Sequence, residues 1–107
     1  MSDNIHFAIL CRHKRVAYFA ERSLEDACSR DTTVRDILRG QVEGVERVYA
    51  FNPAEHTCDD VTEAIAIEIA NSLDAGEPIS PELYAFIEEH APAHARGLRA
   101  YDKTFAA

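Results

Sequence analysis

Ile5-His6-Phe7-Ala8-Ile9-Leu10-Cys11, then Arg12-His13-Lys14-Arg15, then Val16-Ala17-Tyr18-Phe19-Ala20: these three consecutive runs decide the fold class. In the first, Ile5, Phe7, Ile9 and Cys11 alternate with other residues, which is the period of a strand. Ala8 and Leu10 lie between them, so the second face of that strand is expected to be partly covered. The last run is rich in Val, Tyr and Phe, the types that suit a pleated surface. The basic break between the two makes them a β-hairpin. It lacks an Asn-Gly or Asp-Gly pair, so the turn type stays open.

Helical signals follow the hairpin. Ser23-Leu24-Glu25-Asp26 has the form of a capping box opening a short helix to about Ser29. Asp31-Thr32-Thr33 offers a second cap, Val34, Ile37 and Leu38 follow at helical spacing, and Gly40 is placed to end that helix. A third strand is expected over Val45–Phe51, stopped by Asn52-Pro53. Thr57-x-x-Asp60 then reads as the start of the longest helix, with Asp59 and Asp60 in its first turn and an end near Ala75, before Gly76 and Pro78. Val61, Ile65, Ile69 and Leu73 form its buried stripe, widened by Ala64, Ala66, Ile67 and Ala70. Ser80-Pro81-Glu82 opens a last helix, with Leu83, Phe86, Ile87 and His90 on one face and Ala91-Pro92 at its end. The expected order is ββααβαα. It describes an α+β fold, a small and mainly antiparallel sheet packed by helices. Residues 1–92 are read as a single α+β domain and 93–107 as a weakly structured tail.

The chain has 107 residues, enough for one core without disulfide staples. Its three cysteines, Cys11, Cys28 and Cys58, form no disulfide framework. No run is long and apolar enough for a membrane span, and the first residues lack the pattern of a secretory signal. The expected location is therefore cytoplasmic, with reduced thiols.

Charge is the most informative feature of the sequence. The net charge is −8, yet residues 1–47 hold eight acids and eight bases. Between Arg47 and Arg96 there is no Lys or Arg, and ten acids stand there. Such a field repels phosphate backbones, so direct nucleic-acid binding is not expected. It suits a partner protein with a basic surface. Asp59, Asp60, Glu63, Asp74, Glu77, Glu82, Glu88 and Glu89 are the residues expected to meet it. The alternative reading is an acidic face kept for solubility.

Other constellations compete. His56, Cys58, Asp59 and Asp60 place an imidazole, a thiol and two carboxylates in five residues at an expected helix start, where the dipole favours a thiolate. A small enzyme or metal-dependent protein using them is the alternative function. Against it, the two aspartates oppose a thiolate. No paired Cys or His element completes a zinc site, and Pro92 interrupts His90-x-x-x-His94. No phosphate-cradling or nucleophile-elbow motif is present. No catalytic residue, metal or cofactor is therefore expected. The tip Arg12-His13-Lys14-Arg15, followed by Tyr18 and Phe19, has the residue types of a phosphate and base contact, but the patch is short. It also reads as an exposed turn whose long basic side chains discourage strand pairing.

Arg35-Asp36-Ile37-Leu38-Arg39-Gly40-Gln41-Val42-Glu43, Val48-Tyr49-Ala50-Phe51-Asn52-Pro53-Ala54-Glu55 and Asp60-Val61-Thr62-Glu63 resemble stretches of short uncharacterised proteins from alphaproteobacterial genomes and their phages. The resemblance spans about residues 31–70 and carries no catalytic residue or cofactor. It implies an accessory role in phage–host conflict, such as an anti-CRISPR-like inhibitor of a host complex. The expectation is a small acidic protein-interaction module, not an enzyme. The breadth of the apolar face on the helix expected at 58–75 adds a homodimer as a second expected contact.

Overall fold

The computed structural model describes residues 5–73 and 78–100. The chain forms two compact units, residues 1–62 and 63–107.

The first unit holds a four-stranded antiparallel sheet. Strands β1 (His6–His13) and β2 (Val16–Phe19) form the expected hairpin. Lys14, first of the two turn residues, takes a left-handed backbone with φ 58°, the conformation that tight hairpins need there. β3 (Val45–Asn52) pairs with β1, and β4 (Thr57–Asp60) pairs with β3. The strand order is β2-β1-β3-β4.

Between β2 and β3 run α1 (Leu24–Ala27) and α2 (Arg30–Leu38). Ser23 caps α1 as its box predicts, its hydroxyl accepting from the Asp26 amide at 3.1 Å. The cap of α2 is Ser29, not the Asp31-Thr32-Thr33 run. Its hydroxyl accepts from the Thr32 amide at 3.0 Å, which moves the helix start upstream and leaves Thr33 inside, buried. Gly40 follows α2 with φ 73°, a left-handed position that favours glycine.

The alternation read from the sequence sets the faces of the sheet. Phe7, Ile9 and Cys11 of β1 and Val48 of β3 are buried on one face. Val34 and Ile37 of α2 are also in the core. The other face carries Ala8, Leu10, Tyr49 and Phe51, all half-buried. Phe19 stands opposite Leu10 on it and meets the Tyr49 ring edge-on at 6.5 Å.

The second unit contains α3 (Thr62–Ser72, from its second residue), β5 (Pro78–Ile79), α4 (Pro81–His90), α5 (Pro92–Ala95) and β6 (Arg99–Ala100). It buries Ile65, Ala66 and Ile69 of α3 and Leu83, Phe86 and Ile87 of α4. Ser80 caps α4 as predicted, with the Leu83 amide at 3.1 Å. β5 and β6 pair in parallel. Part of the stretch expected to be a weakly structured tail is therefore regular, with Ala95 buried, while residues 101–107 lie outside the described ones. Among the described residues, no helix is long and apolar enough to cross a membrane.

The long helix begins later than its capping signal suggested. Thr57–Asp60 is a strand, because the turn after Asn52 brings it back along β3, with Asn52 opposite Thr57 and Tyr49 opposite Asp60. His56, with φ 57°, completes that turn. The helix opens only at Thr62, whose amide donates to the Asp60 carboxylate at 2.9 Å. The expected end near Ala75 and the closing Gly76 fall outside the described residues.

Candidate interaction surfaces

The eight acids predicted to meet a partner fall into different settings. Glu82, Glu88 and Glu89 belong to α4. At a helical turn of 3.6 residues they share one side with Ala85, opposite Leu83, Phe86 and Ile87. All three are exposed. His90, on the inner side, packs on Phe86 with ring centroids 5.0 Å apart. Its Nε2 lies 3.7 Å from Glu89, too far for a hydrogen bond. Glu63 is exposed on the first turn of α3. Asp74 and Glu77 lie outside the described residues.

Asp59 and Asp60 are not in a helical first turn. As strand neighbours they point to opposite faces of β4. Asp60 is engaged at home. Its carboxylate accepts from the hydroxyl and the amide of Thr62 and pairs with Arg47 at 3.2 Å. Thr62 in turn accepts from the Val48 amide at 2.9 Å. These contacts hold the Asp60 carboxyl below its usual range, chiefly through the Thr62 hydroxyl, then the Thr62 amide, with Arg47 adding to them. Asp60 is thus a local clasp between β3, β4 and the start of α3.

A carboxylate whose folded pKa is depressed stabilises the fold above its unfolded pKa, and that contribution is lost as pH falls through the folded value. Asp60→Asn is therefore less stable than the parent at neutral pH. The gap closes as pH drops from about 4 downward. Denaturant titrations at a series of pH values check this, and a gap independent of pH would contradict it.

The alternative enzymatic set does not assemble. Cys58 sits in mid-strand on β4, not at a helix N-terminus, so the dipole argument for its reactivity fails. His56 is exposed in the turn before it, and Asp59 points to the face opposite Cys58 and Asp60. Among the described residues, no three His, Cys, Asp or Glu side chains are grouped to hold a metal ion. The thiol that does meet an imidazole is Cys28, with its Sγ 3.4 Å from His6 Nδ1. Twenty-two residues separate that pair in sequence, and no local spacing announces it.

At the hairpin, Arg12 is paired with Glu46, while His13, Lys14 and Arg15 are exposed. The strand that follows departs most from an ordinary surface. β2 is exposed along its whole length, with Val16 at 63%, Tyr18 at 45% and Phe19 at 56%. Val16 and Tyr18 share the face of His13 and Cys11, and Phe19 lies on the other face with Leu10, so both faces of this strand carry exposed apolar groups.

Comparison with family models, curated proteins and solved structures finds no match.

Proposed function

We propose that the chain is a protein-interaction module that docks on a basic surface of another protein through the outer face of α4. The observation that carries this reading is the grouping of Glu82, Glu88 and Glu89 on the exposed side of one helix, within a stretch that has no Lys or Arg from residue 48 to 95. Carboxylates on one short helix keep fixed spacings, so they present a definite pattern and not a diffuse charge. Such a surface steers a cationic partner and accelerates its encounter. Glu63, exposed on the first turn of α3, is a further open carboxylate of the same unit. Asp60 is left out of the set because Thr62 and Arg47 occupy its carboxylate.

A phage-encoded inhibitor of a host complex, of the anti-CRISPR kind, is the concrete form suggested by the sequence resemblance. In that form the α4 carboxylates would occupy a groove built for nucleic-acid phosphates.

Affinity capture from the organism that encodes the chain tests the proposal. The parent retains a basic protein that the double variant Glu88→Lys, Glu89→Lys releases, and added salt weakens the retained complex. Equal retention by parent and variant, or no retained protein, would overturn it.

A further inference from the structure

We infer that β2 is a dimerisation edge, where two copies of this chain pair antiparallel and join their sheets into one. The inference is independent of the α4 surface. β2 is the terminal strand of the sheet, and only β1 pairs with it among the described residues. The Ala20 amide donates to the Ile9 carbonyl at 2.9 Å, which fixes the phase of the ladder. Hydrogen-bonded and non-bonded pairs alternate along antiparallel strands. Val16 and Tyr18 therefore turn their backbone groups to β1, while Ala17 and Phe19 turn theirs outward. β2 is short, and the basic side chains that discourage pairing stand in the turn before it and not on the strand itself. It has no charge, proline or glycine, the usual protections of a free strand. β4, at the opposite edge, carries Asp59 and Asp60 and is protected in that way.

The sequence around β2 is self-complementary in one register. Placing Tyr18 opposite Tyr18 of the second copy sets Ala17 against Phe19 and Arg15 against Glu21. Ala17 and Phe19 then exchange their outward hydrogen bonds across the two-fold axis. The tyrosines meet at a non-bonded position, where side chains approach most closely. A small residue faces a large one, and opposite charges close both ends of the paired segment. Registers that set Ala17 or Phe19 opposite itself lose the Arg15–Glu21 match. The charges beyond these do not interfere. Lys14 is bent away by its left-handed backbone, and the Arg22 guanidinium is turned into the fold. The broad apolar helix is a weaker candidate for the same role, because Ile65, Ala66 and Ile69 are already covered within the chain.

Sedimentation equilibrium on the full chain tests the inference, with circular dichroism as a check of folding. The parent is a dimer at micromolar concentration. Ala17→Pro removes an outward N–H and no bond to β1, so it yields a folded monomer. Arg15→Glu also yields a monomer, and Arg15→Glu combined with Glu21→Arg restores the dimer. A monomeric parent would overturn the inference, as would a dimer that persists in both single variants.

Discussion

Replacing Arg22 with Met is expected to lower the stability of the fold by about 3 kcal/mol, the scale of breaking a buried charged network from one side. Only 6% of the Arg22 side chain is exposed. Its guanidinium donates to the Phe7 carbonyl at 3.1 Å, the Asp26 carbonyl at 3.0 Å and the Thr33 hydroxyl at 2.8 Å, and it reaches Asp36 at 3.5 Å. One side chain therefore joins β1, α1 and α2. Among the described residues its Nε has no hydrogen-bond partner, so part of its desolvation is not offset. Met fills the volume but removes all four contacts at once; the Asp26 carbonyl keeps the Ser29 amide and Thr33 keeps the Ser29 carbonyl, while the Asp36 carboxylate loses its cation, which is the costly part. Lys does not rescue the loss, because a single ammonium cannot span acceptors arranged around a planar fork. Denaturant unfolding of Arg22→Met and Arg22→Lys measures both. A loss well below about 1 kcal/mol, the worth of one ordinary hydrogen bond, would contradict the clamp.

Gly44→Ala is the second large effect. Gly44 has φ 68°, and its carbonyl accepts from the Arg12 amide at 2.8 Å. It precedes β3 beside the irregularity where β1 changes register between Leu10 and Cys11. A Cβ at this position would run into the Arg12 carbonyl oxygen, a backbone atom that cannot move aside alone. The left-handed backbone alone costs a non-glycine residue about 1–2 kcal/mol. Displacing the Arg12 backbone raises the expected loss to about 3 kcal/mol. Gly40 provides the internal control. Its φ of 73° is similar, but among the described residues a Cβ there meets nothing within 4 Å. Gly40→Ala should show only the conformational part, about 1–2 kcal/mol. Equal losses at the two positions would mean that the close approach of Gly44 to β1 is unimportant.

The parts of the fold that the sequence made legible are those built on local rules. The alternation of Phe7, Ile9 and Cys11 predicted the buried face of β1. Ser23 and Ser80 predicted two caps, and Gly40 the end of α2. β4 was hidden because its register is imposed by β3 across the turn at Asn52–His56, and Thr57-Cys58-Asp59-Asp60 has a stronger local likeness to a helix start. The same misreading gave Cys58 a helix dipole that it lacks. The Asp60 clasp and the Arg22 clamp depend on partners distant in the chain, Arg47 and Val48 for one and Phe7, Thr33 and Asp36 for the other. No spacing rule reveals them. Of the acids singled out, Glu82, Glu88 and Glu89 are exposed on α4, as helical periodicity around Leu83, Phe86 and Ile87 implies.

The measurement that bears most directly on the proposed function is an NMR titration of the ¹⁵N-labelled chain with a lysine-rich peptide. Shifts are expected to concentrate on the amides of Glu82, Glu88 and Glu89 and to vanish in the Glu88→Lys, Glu89→Lys variant. Shifts spread evenly over the exposed acids, or none at all, would contradict the proposed function.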